Sequence, residues 1–526
     1  MTAARPAHTL YFDRAHIEEG LVPGADGPIV ASPVTEWHTD ATVAANPADP
    51  EKVIAAWCGY IDPTDPAREE VPNFRVWVAY STDGGVSWVA SALPPIAGGA
   101  GHPVLAYGPD EVAYLLTCEG GGDGGRPRIF RSPDNGATWT AAKAPPEPLS
   151  MPWLACDPAR AGRLYLTTGF FRWSDPPSLA VAVVWRSDDS GETWSPRKVL
   201  RDEAGSPLLA WAPHVSVAAD GTVHVVSMAR DSAWLWHWRS IDAGESFSVQ
   251  RAALPILAWS PVLPDDSLWV NGCAAAGRFV VAWTDVRDGV SRIYYRATDE
   301  GGRTWVGPDT GTPLLPSLPK TAVGHHVRPR LAATPQGAVG CAFYELALDA
   351  GGPRLAMMLA AALRWEDGFG AAVAVSDAPW KPASEPGSGD TYESRPFVGD
   401  YFGLAADASS FLVVWPQAPL GPKPDRPPHS EDLWVHRTSE GWVVIRIRGG
   451  KVVGVVRFPE PGPEPADASD VVRALRARAL PRALDGGEAV HGPGAARALG
   501  RALREVADLL DGGLPKQRGS TEDRHR

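Results

Sequence analysis

A chain of 526 residues with 44% hydrophobic residues can bury a large core, and its 54 glycines and 52 prolines favour many short strands joined by turns. Its formal net charge of −13 argues against nucleic acid as a partner, because phosphates need a basic surface, and equally against an anionic membrane. No apolar run is long enough to span a bilayer and residues 1 to 37 lack the apolar core of a secretory signal, so we expect a cytoplasmic protein.

Five similar turns follow one another along the chain, each with the order Ser, Asp, Gly, Thr or Ser, aromatic. They are Ser81 to Trp88, Ser132 to Trp139, Ser187 to Trp194, Ser240 to Phe247 and, with one extra residue and Ala in first place, Ala297 to Trp305. Their aspartates are Asp83, Asp134, Asp189, Asp242 and Asp299, which are 51, 55, 53 and 57 residues apart. A period near fifty with a hairpin signature indicates a repeat fold, and a β-propeller above all.

The residue types explain how such a turn holds itself together. The Asp side chain accepts hydrogen bonds from nearby backbone N–H groups, the Gly supplies a positive φ, and the aromatic ring packs beneath the turn. These segments resemble the Asp box, or bacterial neuraminidase repeat, of the sialidase superfamily. The resemblance implies blades of four antiparallel strands, with the box between the third and fourth strands and on the face opposite the substrate site. The five aspartates are then structural.

Strand-like segments that begin with Pro recur between the turns and predict innermost strands: Pro103, Pro152, Pro213, Pro329 and Pro396. Two degenerate boxes, RWEDGF at 364 to 369 and TSEGW at 438 to 442, bring the count of units to seven. Sialidases proper have six blades. The seven units therefore form either a seven-bladed ring, which we favour, or a six-bladed ring with one unit outside it. The predicted propeller covers residues 38 to 458, and residues 1 to 37 could supply a ring-closing strand.

The C-terminal part is different in composition. We predict a Pro-rich linker at 459 to 470, a helical tail at 471 to 511, and disorder at 512 to 526. The tail either packs against the propeller or binds a protein partner. The odd number and wide spacing of the five cysteines indicate reduced thiols within the strands.

The polar residues at one mouth of the ring are the candidates for function. They include His38, Asp40, His102, Trp153, Arg172, His214, Arg230, Asp231, Asp285, Arg287, Asp288, His326, Arg328, Arg330, Glu345, Arg395, Asp400 and Tyr401. The sialidase resemblance implies three arginines on a substrate carboxylate, a tyrosine nucleophile with a glutamate partner, and an aspartate acid. Among the candidates in this sequence, Arg287, Arg328 and Arg395 could form the carboxylate clamp. Tyr401 would then be the nucleophile, Glu345 its partner and Asp40 the acid. Asp285 and Trp153 complete the predicted substrate site.

One departure from the family pattern is the lack of an aromatic-Arg-Ile-Pro string near residues 20 to 45, so the clamp is incomplete or rebuilt. Several candidates also have a structural interpretation: the Tyr401 hydroxyl can bond a backbone carbonyl, and Asp285 can cap a turn. Four histidines begin equivalent strands and could converge on a metal, but no short-range ligand motif supports this, and we predict neither metal nor cofactor. The predicted function is a sialidase-like propeller that binds or hydrolyses a glycan as an exo-glycosidase does. The alternative is a non-catalytic ligand- or protein-binding scaffold with a C-terminal helical docking tail.

Overall fold

A computed structural model describes residues 8–12, 36–61, 74–85, 88–96, 98–120, 125–149, 151–172, 178–208, 210–229, 234–255, 270–287, 289–316, 324–349, 352–376, 379–381, 383–384, 396–397, 399–408, 410–417, 432–437, 443–448 and 451–457. The chain divides into two compact units, one of Thr9–Arg437 and one of Met1–His8 with Thr438–Arg526. The predicted linker, helical tail and disordered end at 459 to 526 lie outside the described residues.

The larger unit consists of antiparallel sheets that follow one another along the chain. After β1 (His8–Phe12), the first sheet contains β2 (Glu36–Ala45), β3 (Val53–Ile61), β4 (Phe74–Ser81) and β5 (Val89–Ser91). The second contains β6 (Ala100–Tyr107), β7 (Ala113–Glu119), β8 (Arg126–Ser132) and β9 (Thr140–Ala142). The third contains β10 (Trp153–Cys156), β11 (Leu164–Arg172), β12 (Ser178–Ser187) and β13 (Lys198–Val199). The fourth contains β14 (Ala210–Val217), β15 (Val223–Ala229), β16 (Leu235–Ser240) and β17 (Ser248–Ala253).

The remaining sheets of this unit vary the same pattern. The fifth has five strands, β18 (Val270–Ala275), β19 (Arg278–Asp285), β20 (Arg292–Thr298), β21 (Trp305–Val306) and β22 (Thr312–Pro313). The sixth contains β23 (His325–Ala333), β24 (Val339–Asp349), β25 (Gly352–Ala362) and β26 (Val373–Ala374), with a 3-10 turn at Trp365–Asp367. A short hairpin of β27 (Ala383–Ser384) and β28 (Pro396–Phe397) follows. The last sheet joins β29 (Gly403–Ala406), β30 (Phe411–Gln417) and β31 (Asp432–Arg437) to β1 as its outer strand.

The sheets pack face to face around the innermost strands. In sequence order β2 contacts β6, β6 contacts β10, β10 contacts β14, β14 contacts β18, β18 contacts β23, β23 contacts β29, and β29 contacts β2. The hydrophobic core lies between neighbouring sheets, where large rings such as Trp57, Trp238, Trp283 and Trp415 are fully buried. The fold is therefore an all-β propeller of small four-stranded antiparallel blades, as the sequence predicts.

The five repeated turns lie between the third and fourth strands of their sheets, which is the position that the Asp-box resemblance implies. In the third sheet, Asp189 accepts hydrogen bonds from Ser187 Oγ at 2.9 Å, Thr193 N at 2.8 Å and Thr193 Oγ1 at 2.6 Å. Gly191, at φ +86°, donates its N–H to Ser187 Oγ, and the Trp194 indole donates to Lys143 O. The carboxylate is thus used within its own turn.

Two boundaries in the structure lie elsewhere than the sequence predicts. The predicted propeller runs to residue 458, but its compact unit ends at Arg437, because β32 (Val443–Arg448) and β33 (Lys451–Arg457) pair with each other as a hairpin of the second unit. The innermost strand of the last sheet is β29, whereas Pro396 belongs to the short hairpin before it. None of the five cysteines, all of which lie in the described part of the chain, forms a disulfide, and four of them are buried. Among the described residues, no helix is long and apolar enough to cross a membrane.

Candidate functional site

A β-bulge recurs where the innermost strands begin. In β2, β6, β14 and β23 the register shifts by a bulge whose first residue has a left-handed backbone, and a residue of the same conformation precedes β10. These residues, with φ between 42° and 56°, are Asp40, His102, Met151, Ala212 and Arg328. Left-handed conformations are unfavourable for residues other than glycine and are often found at functional sites. Three of the five positions carry an ionisable side chain that the sequence identifies as a candidate.

The residue two positions after each left-handed residue forms a second set. In three sheets it is Trp153, His214 or Arg330, and these side chains contact one another. The Trp153 and His214 rings lie 4.5 Å apart, and the Arg330 guanidinium lies over the Trp153 ring at 4.1 Å. The repeat thus brings residues that are far apart in sequence to one place.

Asp40, His102 and Asp400 form the most concentrated polar cluster, which we call the Asp-His-Asp cluster. His102 Nε2 lies 3.3 Å from Asp400 Oδ2, and the Asp400 backbone N–H donates to Asp40 Oδ1 at 2.5 Å. Asp40 and His102 are buried, whereas the Asp400 side chain is 29% exposed. Asp40 and Asp400 are 360 residues apart, so the cluster depends on contact between the first and last sheets.

The three groups of the cluster influence one another electrostatically. Burial raises the pKa of Asp40 to about 6, and the charge of Asp400 adds to the rise. Burial opposes ionisation of Asp400, but hydrogen bonding to His102 and the charges of His102 and Arg328 hold its pKa below the ordinary value. Burial also opposes protonation of His102, yet Asp400, Cys118 and Asp40 together hold its pKa well above the ordinary value. The cluster therefore favours a cation between two carboxylates.

Arg330 is the second unusual feature of the region. Its side chain is 9% exposed, and its Nε donates to Phe402 O at 2.9 Å. Its guanidinium lies over the Trp153 ring, 4.1 Å from the ring centroid, and 5.4 Å from the centroid of the Tyr401 ring. Within the described part of the chain, no carboxylate pairs with it, and burial lowers its pKa to about 10. A buried cation without a counter-ion points to an anion supplied by a ligand.

A small pocket joins these two features. It is lined by Arg328, Arg330, Asp400 and Tyr401 together with Val270, Pro329 and Phe402. The pocket therefore has two cationic side chains, one carboxylate of the Asp-His-Asp cluster, and apolar walls. The lining suits a small anionic group, and the enclosed space of about 10 Å³ is about the size of one water molecule.

The sequence-predicted catalytic residues have the following partners. The Tyr401 ring stands edge-on to Trp153, and its hydroxyl donates to Pro103 O at 2.9 Å. Glu345 accepts from His326 Nε2 at 3.2 Å, so the two residues of the predicted nucleophile pair form hydrogen bonds with different groups. Asp40 lies in the Asp-His-Asp cluster. The nucleophile and acid roles stay predictions.

The predicted substrate-binding residues divide into two groups. Arg328 and Trp153 lie in or beside the pocket. Asp285 and Arg287 are paired with each other in a fork, with Nε to Oδ1 at 2.8 Å and Nη2 to Oδ2 at 2.5 Å. Arg395 lies outside the described residues, as do the side chains of His38 and Arg172 and residues Arg230, Asp231 and Asp288.

Sequence reasoning included His102, Arg330 and Asp400 among the polar residues of the mouth but gave them no role in the site. The signal that could have identified two of the central positions is the residue before Pro. His102 and Arg328 each precede a proline of the innermost strand and occupy the bulge, and Arg330 follows the second of these prolines.

No family model and no curated protein matches the chain. Among solved structures, a protein of unknown function from Dyadobacter fermentans is 13% identical, covers 69% of this chain and 100% of its own, and aligns with a TM-score of 0.41. The NanB sialidase from Streptococcus pneumoniae is 11% identical over 59% of this chain and 66% of its own, with a TM-score of 0.38. An α-L-arabinofuranosidase from Fusarium graminearum is 13% identical over 63% of this chain and 94% of its own, also at 0.38. Because the TM-scores are below 0.5, the chemistry of this chain has to be argued from its own residues.

Proposed function

We propose that the chain is a sialidase-like propeller of exo-glycosidase type that binds an acidic glycan at the mouth of the ring and cleaves its terminal sugar. The observation that carries the proposal is the pocket beside the buried Arg330. In the described part of the chain, the Arg330 guanidinium has no carboxylate partner. A carboxylate or sulfate on the ligand would neutralise this charge and accept hydrogen bonds from the guanidinium.

The surroundings of Arg330 support a sugar as the carrier of that anion. Sugars present an apolar ring face that packs well against aromatic side chains, and the rings of Trp153 and Tyr401 both lie near the guanidinium. Arg328 lines the same pocket and adds a second positive charge. Asp400, the partly exposed carboxylate of the Asp-His-Asp cluster, also lines the pocket and is accessible to the glycosidic bond of a ligand bound there.

The test compares Arg330→Gln with Arg251→Gln. Arg251 is the matched control because it also lies over indole rings, at 5.2 Å and 5.7 Å, but in the outer strand β17. The assays are turnover of fluorogenic aryl glycosides with and without a carboxylate, and calorimetric binding of the corresponding sugar acids. A charge-assisted hydrogen bond contributes about 1.5–3 kcal/mol, so Arg330→Gln should lower kcat/KM for acidic substrates by about ten- to a hundredfold. Arg251→Gln should leave it unchanged.

The outcomes separate the enzyme from a binding module. Binding of sugar acids that is lost in Arg330→Gln, with no turnover of any glycoside, would establish the non-catalytic alternative. Arg330→Gln protein that binds sugar acids as tightly as wild type would refute the anion site itself.

We also propose that the seven sheets of four or five strands in the larger unit are blades of one seven-bladed ring. The cyclic order of contacts between innermost strands, from β2 round to β29 and back to β2, supports this count. The pairing of β1 with β31 supports closure by an N-terminal outer strand. An experimental structure that leaves one of the seven sheets outside the ring would contradict it.

A further inference from the structure

We infer that the Asp-His-Asp cluster is a binding site for one zinc ion, with Asp40, His102 and Asp400 as its protein ligands. One oxygen of each carboxylate and one ring nitrogen of His102 lie within 4.8 Å of one another. A neutral imidazole and two carboxylates balance the two positive charges of the metal. The inference goes beyond the proposed function, because zinc binding can be measured without any glycan.

The distance between two of the ligand atoms fits a zinc ion. His102 Nε2 and Asp400 Oδ2 are 3.3 Å apart, which is long for a strong charge-assisted hydrogen bond. With bonds of about 2.0–2.1 Å from zinc to nitrogen or oxygen, two ligands of a tetrahedral ion lie about 3.3 Å apart. The two side chains are therefore already at the separation that a shared metal requires.

An unpartnered oxygen is an independent observation for the same site. Asp40 Oδ2 is fully buried and has no hydrogen-bond partner in the described part of the chain. The other oxygen of this carboxylate, Oδ1, accepts from the Asp400 backbone N–H at 2.5 Å and from Thr39 Oγ1 at 3.2 Å. A buried carboxylate oxygen is costly without a partner, and a cation in the cluster would supply one.

The groups around the cluster hold the ligands in place, as at known metal sites. The bonds to Asp40 Oδ1 orient this carboxylate, and its left-handed backbone fixes it in the bulge of β2. His102 occupies the same bulge of β6, which positions its ring from the neighbouring sheet. Two of the three ligands thus come from rigid strands rather than from a mobile loop.

The ligand set favours zinc and leaves room for a ligand. Imidazole nitrogen is a good ligand for Zn²⁺, whereas Mg²⁺ and Ca²⁺ prefer oxygen alone. Three protein ligands leave the fourth tetrahedral position open, as in catalytic rather than structural zinc sites. Asp400 also lines the pocket beside Arg330, so that open position would be next to the proposed anion site.

The experiment is a titration of the chelator-treated full-length chain with zinc chloride by calorimetry, with metal content measured by mass spectrometry. We expect one Zn²⁺ per chain, a rise in Tm on zinc addition, and a visible absorption band of four- or five-coordinate Co²⁺ when cobalt replaces zinc. Asp400→Asn and His102→Gln should weaken zinc binding at least about tenfold. His214→Gln is the matched control, since His214 is also a buried histidine of an innermost strand but lies outside the cluster, and it should bind zinc normally.

Each outcome decides the inference. Less than one zinc per chain in the wild type, or equal affinity in Asp400→Asn, His102→Gln and His214→Gln, would overturn it and leave a protonated His102 paired with Asp400. Circular dichroism and Tm of the metal-free variants identify any that fail to fold, and Asp400, which is 29% exposed, is the ligand whose replacement is least disruptive. Arg330→Gln separates this inference from the proposed function, because it should lose sugar acids but keep zinc.

Discussion

Replacing Arg330 with Met should leave the stability of the ligand-free protein almost unchanged while removing the anion site. Burial lowers the pKa of Arg330 from 12.5 to about 10, and at about 1.4 kcal/mol for each pKa unit its charge costs about 3.5 kcal/mol. The cation–π contacts return about 1–2 kcal/mol of this, and the bond to Phe402 O about 1 kcal/mol. These contributions nearly cancel, so the unfolding free energy should stay within about 1 kcal/mol of wild type.

Arg296 provides the contrast, because it is an arginine of similar burial with a structural role. It is 7% exposed, donates to the backbone carbonyls of Ala252, Val306 and Gly307, and pairs with Asp309 at 2.9 Å. Its replacement by Met leaves several of these acceptors without a donor. We expect a loss of about 3 kcal/mol.

Urea unfolding followed by tryptophan fluorescence measures both variants, and binding of sugar acids is measured on the same samples. If Arg330→Met is destabilised as much as Arg296→Met, then Arg330 is part of the packing of the innermost strands and not a site kept for a ligand. Unchanged stability with lost binding would show that Arg330 serves ligand binding and contributes little to the stability of the fold.

Three further results are expected. His224 Nδ1 and His237 Nε2 lie 2.9 Å apart in the core. Burial lowers the pKa of both imidazoles, that of His224 to about 3. Between the ordinary and the lowered pKa values, the unfolded chain binds protons that the folded chain does not. The unfolding free energy should therefore fall as pH drops from about 6.5 towards 3, by up to about 1.4 kcal/mol per pH unit for each histidine, and His237→Phe should flatten the Tm–pH curve. Gly399 has a φ of +72°, and Gly399→Ala would place a Cβ 2.8 Å from Asp40 N. The affinities for zinc and for sugar acids should therefore both fall. If the Tyr401 hydroxyl only donates a hydrogen bond to Pro103 O, Tyr401→Phe should lower Tm but keep turnover. If Tyr401 is the nucleophile, the variant should lose turnover at unchanged Tm.

The local parts of the fold could be predicted from sequence because each is encoded within a few residues. Asp189, Gly191 and Trp194 form their hydrogen bonds within the turn or with the preceding sheet, so eight residues specify the motif. The innermost strand of the last sheet was missed for the opposite reason. Pro396 begins an apolar segment like those of the other units, but the segment pairs with β27 and the sheet begins later, at Gly403.

The site could be predicted as a set of residues but not as an arrangement. Asp40 and Tyr401 were selected from their types and positions, yet the contact of Asp40 with the Asp400 backbone needs two sheets from opposite ends of the chain. Spacing gives no information about such a contact. The same holds for Arg287, which satisfies the chemistry of a carboxylate clamp but finds its carboxylate in Asp285, two residues away.

The repeated bulge explains why this part of the propeller carries the chemistry. A left-handed residue adds backbone strain of about 1–3 kcal/mol, and the conformation occurs at Ala212 as well as at Asp40. The conformation is therefore a property of the repeat, and function arises where the repeat carries polar side chains. Those side chains come from the sheets of Arg328, Asp400, Asp40 and His102, which are consecutive neighbours through the contacts of β23, β29, β2 and β6. The sheets of Met151 and Ala212 lie beyond them, so the ionisable bulge residues lie on the side where the first and last sheets of the unit meet, while Arg330 also contacts Trp153 of the third sheet.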